Sequence, residues 1–202
     1  SVNAYGVAVV EQYAIAGAAV LNDAAAIGIA RNHARLLQVL RRHGLRVPPT
    51  LMGQGAAALR AMVDGLGGLP VVIRLVRAGE RAGVIVCESL QSLEAALEAV
   101  LSMGQDIIVQ RYVAANEGRD VRALVIGGEV RAAVRRRPRA GRLHRSLAHG
   151  AEVSAVRLSA AERALAVRAA EVVGLQVAAI DLLVRGSSAT VFEVHASPGL
   201  RE

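Results

Sequence analysis

Toward the carboxyl end the chain reads Thr190-Val191-Phe192-Glu193-Val194-His195-Ala196-Ser197-Pro198-Gly199-Leu200. The alternation is that of a strand, and Ser-Pro-Gly stops it. Glu193 and His195 are two residues apart, so a strand sends both side chains to one face. Upstream, Ala178-Ala179-Ile180-Asp181-Leu182-Leu183-Val184 carries one carboxylate in an apolar run. Arg185-Gly186-Ser187-Ser188 between the two segments reads as a turn, which brings Asp181 close to Glu193 across a hairpin. Two carboxylates and an imidazole on one face suit a cation, because they otherwise repel or are buried at a cost. The same spacing also fits a solvent-facing polar strip, and spacing alone leaves both readings open.

The elements that would position these residues follow from pattern. Residues 5–17 read as a helix. Asp23 to Gly44 reads as one longer helix, with Asp23 as N-cap and Gly44 at the exit. A strand follows Pro48-Pro49, then a short helix in GAAALRAMVDGLGG. LPVVIRLV and VIVCE read as a hairpin around the loop RAGERAG. SLQSLEAALEAVLSMG is a helix and DIIVQRYV a strand. GRDVRALVIGGEVRAAVRRR is two strands turning at Gly127-Gly128. PRAGRLHRSLAHGAEV has no period and reads as a long basic loop. Ser159 with Glu162 three residues on is a capping box that opens a helix. Hairpins outnumber βαβ units, which predicts an α+β architecture with antiparallel sheets.

Composition narrows the class. At 202 residues the chain suits one domain, or two small lobes sharing a cleft. Hydrophobic residues make up 53% and aromatic residues 2%, so the core is built from Val, Leu, Ile and Ala. No apolar run reaches the roughly 18 residues of a membrane span. The first residues carry Glu11 and Gln12 and lack a basic leader, so they read as the interior of a longer chain and not as a signal peptide. One cysteine, Cys87, excludes an internal disulfide and fits a reducing cytosol. Its place at the end of a strand-like run reads as a buried structural thiol. The formal charge is +7, and all 24 basic residues are arginine. Compositional drift in a GC-rich genome accounts for that; so does an anionic partner such as a nucleotide, an acidic peptide or nucleic acid. Nucleic-acid binding through Val134–Arg145 is the weaker alternative, because no aromatic residues interleave the arginines.

The order of these elements, with FEVHASPGL and DVRALVIGGEVRAAVRRR as its most specific motifs, resembles the ATP-grasp domain of RimK-type ligases. The likeness runs from about Tyr5 to the end. It implies an α+β ATP-grasp fold of two lobes with a nucleotide cleft between them. Residues 1–46 would be a helical lead-in, 47–104 the small lobe and 105–202 the large lobe. It implies a cytoplasmic, ATP- and metal-dependent carboxylate–amine ligase acting through an acyl phosphate. Asp181, Glu193 and His195 fall on the metal-ligand positions, with His195 in place of an amide oxygen. Nitrogen moves preference from Mg²⁺ toward Mn²⁺ or Zn²⁺. Arg74 falls where a lysine contacts the ATP phosphates. Arg111 and Tyr112 fall on the adenine hinge, and Asp120 on the ribose contact. His144, Arg145, Ser146 and His149 fall on the loop that binds phosphate and the acyl intermediate. The implied partners are nucleotide and a carboxylate or peptide substrate, with a partner subunit able to supply what this chain lacks.

Several positions depart from the family. Arg74 replaces a lysine, Arg111 a glutamate, and His33 stands where an Asp-Lys pair is usual. The segment 78–83, Ala-Gly-Glu-Arg-Ala-Gly, carries an acidic and a bulky residue where phosphate loops carry glycines. These departures leave a second functional reading beside the ligase: a non-catalytic ATP-grasp-like protein that binds a ligand or a partner.

Overall fold

The structure is a computed structural model that describes residues 4–52, 56–75, 84–102, 107–113, 119–137 and 152–199. It divides into two compact units, Ser1–Val47 with Ala114–Glu202, and Pro48–Val113.

The smaller unit holds a four-stranded antiparallel sheet of order β1-β4-β2-β3. Its strands are β1 (Thr50–Met52), β2 (Val71–Leu75), β3 (Val84–Cys87) and β4 (Ile107–Arg111). Val71, Ile73, Val109 and Cys87 alternate onto one face. They pack on Val63 of helix α4 (Ala56–Gly65) and on Leu93, Leu97 and Val100 of helix α5 (Leu90–Ser102). Ser89 caps α5 by accepting from the Ser92 backbone N–H at 3.1 Å. Cys87 is fully buried, and burial pushes its thiol up, which matches a structural role. β4 lies inside this sheet, its two edges taken by β1 and β2, so the smaller unit runs on to Val113.

The larger unit holds a five-stranded antiparallel sheet of order β7-β6-β5-β8-β9. These are β5 (Arg119–Ile126), β6 (Glu129–Arg137), β7 (Glu152–Ala155), β8 (Val177–Arg185) and β9 (Ser188–His195). Strand β7 lies in what reads as loop in the sequence. Its four residues, Glu-Val-Ser-Ala, are too few to declare a period of two, and pairing with Val134–Arg137 makes it a strand. One sheet face, with Val121, Ala123, Val125, Ile180, Leu182 and Val194, packs against helix α6 (Ala160–Val173). The small stripe Ala166, Ala169, Ala170 and Val173 on α6 lets the helix approach closely. The capping box is present: Ser159 Oγ accepts from Glu162 N at 3.2 Å, and Glu162 accepts from Ser159 N at 2.8 Å. Ser159→Ala should therefore cost about 0.5–2 kcal/mol. A urea midpoint unmoved by that change would show that the cap contributes nothing.

The expected single helix from Asp23 to Gly44 is two helices. Helix α2 (Ala24–Arg31) and helix α3 (His33–Arg42) meet at Asn32, whose backbone is extended at φ −93° and ψ 96°. Its side chain accepts from Arg35 N at 3.0 Å, so one asparagine ends α2 and caps α3. The break turns Ile27 of α2 and Leu36 and Leu40 of α3 into the same core as α6. Residues 24–45 are thus part of the larger unit's core. Helix α1 (Ala4–Ile15) buries no residue fully. Among the described residues, no helix is long and apolar enough to cross a membrane.

Candidate functional site

The sheet face opposite α6 carries the charge. On β8 and β9 the pairing Arg185↔Ser188, Val184↔Ala189, Leu183↔Thr190 and Leu182↔Val191 is regular, and then shifts. Phe192 is the extra residue, and beyond it Asp181 pairs with Glu193 and Ala179 with His195. A second bulge interrupts β5–β6. Val125 pairs with Val130 but Leu124 with Ala132, so Arg131 is extra, and Asp120 pairs with Arg136. Each bulge moves the residues beyond it by one position and so exchanges which side chains share a face. Together they put Asp120, Arg122, Arg136, Asp181, Glu193 and His195 on one face.

These side chains form a continuous ionic cluster. Arg122 grips Asp181 in fork geometry, Nε donating to Oδ1 at 2.8 Å and Nη2 to Oδ2 at 2.9 Å. Arg136 Nη2 donates to Asp120 Oδ1 at 2.8 Å and lies 2.9 Å from Asp181 Oδ2. His195 Nε2 stands 3.1 Å from Asp181 Oδ2, 3.9 Å from Glu193 Oε2 and 3.0 Å from Arg122 Nη2. Asp181 is buried, and Glu193 and His195 are half-buried. Arg122 and Arg136 were not expected as its ion partners.

Charge balance decides how these groups are protonated. Burial opposes ionisation of Asp181, but the Arg122 and His195 hydrogen bonds and the Arg136 charge outweigh it and hold the carboxyl well below its ordinary value. Burial also disfavours a charged His195. The hydrogen bond and charge of Asp181, with Glu193 behind, prevail over it and over the repulsion of Arg122, and raise the imidazole. The imidazole Nε2 can accept from Arg122 only as a bare nitrogen and donate to Asp181 only as N–H. Three carboxylates face two guanidiniums, so the protonated ring that donates to Asp181 balances the cluster. Burial works against the charge of Arg136 too, but Asp181 and Asp120 hold its guanidinium firmly protonated.

A pH dependence follows. His195 has a raised folded value, so its stabilisation is complete below its ordinary 6.5 and disappears as pH rises through the folded value. Asp181 has a lowered folded value, so its stabilisation is complete above its ordinary 3.8 and disappears as pH falls through the folded value. The cluster should support the fold best between those two pH values. Urea midpoints measured across pH should show both limbs, and His195→Asn should remove the alkaline limb and leave a smaller acid limb carried by Arg122 and Arg136. An alkaline limb that survives that change belongs to another group.

Asp181, Glu193 and His195 each offer a ligand atom, and these atoms all lie within 4.8 Å of one another. That convergence fits a small divalent cation. The donor set of two carboxylates and one imidazole suits Mn²⁺ or Zn²⁺ better than Mg²⁺. Both oxygens of Asp181 already accept from guanidinium groups, so a cation would compete with Arg122 and Arg136 for them.

The remaining expected site residues are placed as follows. Asp120 is in the cluster, buried against Arg136. Arg74, Arg111 and Tyr112 belong to the smaller unit. Arg74 pairs with Ile108 and shares its sheet face with Gln110, whereas Arg111 pairs with Val71 on the other face. Arg111 N donates to Pro49 O at 2.9 Å, and Tyr112 N donates to Pro70 O at 3.3 Å. His33 opens α3. His144, Arg145, Ser146 and His149, and the segment 78–83, lie outside the described residues.

Comparison with known proteins agrees with this architecture. The RimK-like ATP-grasp domain family matches residues 30–202. A "Probable alpha-L-glutamate ligase" from Aeromonas salmonicida is 35% identical over 201 residues, which are 100% of this chain and 67% of that protein. This chain therefore spans about two thirds of that relative's length. Among solved structures, a RimK domain ATP-grasp protein from Sphaerobacter thermophilus has a TM-score of 0.78 at 25% identity, covering 96% of this chain and 69% of that one. The ATP-grasp ligase PsnB, complexed with a minimal precursor, Mg and ADP, has a TM-score of 0.73 at 26% identity, covering 98% of this chain and 60% of that one.

Proposed function

The chain belongs to the RimK-like ATP-grasp family and has its α+β fold, and from that premise we propose that it is the ATP-grasp portion of an ATP- and metal-dependent carboxylate–amine ligase. The observation that carries this reading is the convergence of Asp181, Glu193 and His195 within 4.8 Å on one sheet face. These three residues would hold the cation. Such an ion would offset the negative charge of nucleotide phosphates. In the proposed reaction a substrate carboxylate oxygen attacks the γ-phosphorus of ATP and ADP leaves. An amine then attacks the acyl carbon, phosphate leaves, and an amide forms as the amine gives up a proton. By family position, Arg74, Arg111, Tyr112 and Asp120 would contact the nucleotide. His144, Arg145, Ser146 and His149 would face the acyl phosphate. The relatives' name points to L-glutamate as one substrate.

A second reading, ligand binding without phosphoryl transfer, is favoured by one observation: Arg122 and Arg136 already engage both oxygens of Asp181. One experiment separates the two. Purified protein is given ATP, Mn²⁺ or Mg²⁺, L-glutamate and a peptide acceptor, and ADP and glutamate addition are followed. ADP formation that needs both amine and carboxylate supports the ligase. Calorimetric binding of ATP and AMP-PNP with no ADP formed supports the second reading. On either reading His195→Asn should raise affinity for Mg²⁺ relative to Mn²⁺, because an amide oxygen replaces a nitrogen donor. An unchanged ratio would exclude His195 as a ligand.

A further inference from the structure

We propose that Asn22 is a positioning residue for the Asp181–Glu193–His195 site, holding the outer end of the β8–β9 hairpin from the connection between α1 and α2. This deepens the reading of that trio as the functional centre and rests on it. Asn22 is 3% exposed, in a stretch otherwise largely open to solvent. Its Oδ1 accepts from Gln176 N at 2.8 Å and Val177 N at 2.9 Å. Its Nδ2 donates to Val177 O at 2.7 Å and Ala196 O at 2.8 Å. A primary amide has two donors and two acceptor sites, and here all four are used.

The location explains the use. The register of β8 with β9 ends at Ala179↔His195. Beyond that pair, Val177 and Ala196 have no direct rung between them, and the Asn22 amide bridges them instead. His195 is therefore held by Ala179 on one side and, through Ala196, by Asn22 on the other. The His195 ring must sit within hydrogen-bond distance of Asp181 and near Glu193, so small errors at the end of β9 reach the ligand atoms. Among side chains of this length only asparagine offers both the donors and the acceptor. Aspartate lacks both donors and sets a charge against two carbonyls. Alanine leaves two N–H and two C=O groups without this partner.

The test uses Asn22→Ala beside Asn32→Ala, a cap deletion in the same unit that touches no site residue. Imidazole NMR signals of His195, identified by their loss in His195→Asn, and Mn²⁺ affinity by electron spin resonance are read at one pH. Expected are shifted or broadened His195 signals and roughly tenfold weaker Mn²⁺ binding in Asn22→Ala. Asn32→Ala should lower the melting temperature with neither effect. Wild-type His195 signals and Mn²⁺ affinity in folded Asn22→Ala would reduce Asn22 to a structural clamp and overturn the proposal. If the wild-type protein binds no Mn²⁺, the metal reading fails, while the His195 signals still decide positioning. Should Asn22→Ala not fold, the side-chain NH₂ protons of Asn22 in the wild-type protein are followed by hydrogen exchange. Protection matching the β8 amides supports the bridge, and exchange as fast as a free amide overturns it.

Discussion

Replacing Asp181 with alanine should lower the stability of the larger unit by about 3–5 kcal/mol, the range for removing one member of a buried ion pair. Asp181 is 4% exposed, accepts from Arg122 and His195, and forms an ion pair with Arg136. Without it, Arg136 keeps Asp120, but the Arg122 fork loses the carboxylate it grips. The penalty is that of a half-buried guanidinium deprived of its forked carboxylate inside the cluster, and it exceeds the net worth of the pair. Substituting both ends, Arg122→Met with Asp181→Leu, should therefore cost much less than Asp181→Ala alone. Urea unfolding of the single and double variants measures this. A loss under about 1 kcal/mol in Asp181→Ala would place the pair in the class of exposed salt bridges and contradict its burial. The same substitution should abolish cation binding at the site, since Asp181 is the carboxylate that His195 and Glu193 converge on.

How much of this cluster the sequence discloses depends on register. Asp181, Glu193 and His195 are readable because each is a chemistry-bearing residue in an apolar strand. The β5–β6 arginines are different. Counting outward from the Gly127-Gly128 turn without interruption sets Asp120 against Arg135; the bulge at Arg131 sets it against Arg136 instead. The segment from Arg131 to Arg137 holds four arginines, so composition cannot choose among them, and a one-residue slip exchanges the faces. The Phe192 bulge has the same effect on β9. With no bulge, Asp181 would face Phe192. Bulges are set by how the whole sheet twists and packs, which no short window of sequence contains.

Helix α6 and the two glycine-turned hairpins are legible for the opposite reason. Their signals are local: the Ser159–Glu162 box, the turn glycines and clean alternation. Gly127 and Gly128 have φ of +58° and +79°, which only glycine adopts without strain. Asn22 and Asn32 show the limit. Both read as ordinary loop or helix-surface polar residues, yet one bridges chain segments more than 150 residues apart and the other divides a helix. Their roles are visible only once tertiary contacts exist.

The lead-in region gives the largest expected effect. A chain beginning at Pro48 keeps every strand, both bulges and the complete ionic cluster, so on motifs alone it is a whole domain. Packing says otherwise. Ile27, Leu36, Leu37, Leu40 and Leu45 are each no more than 7% exposed. Four of them sit in one core with Val121, Ile180 and Val194, the apolar face of the sheet whose other face carries the site. At about 1.5–3 kcal/mol per buried aliphatic side chain, these five are worth roughly 8–15 kcal/mol as an upper bound. That matches the roughly 5–15 kcal/mol that holds a domain of this size folded. The truncation also removes the Asn22 bridge and the bond in which Val191 N donates to Arg46 O at 2.8 Å along the outer edge of β9. A chain of residues 48–202 should thus lose the cooperative transition of the larger unit. The smaller unit, whose core of Val63, Ile73, Leu93 and Val109 lies wholly within 48–113, should keep its own. Hydrogen exchange resolves the two. Amides of β5 and β8 should exchange freely in the truncated chain while those of β2 and β4 stay protected. Equal protection of β5 and β8 in both chains would mean that α2 and α3 merely cover a sheet that α6 already stabilises.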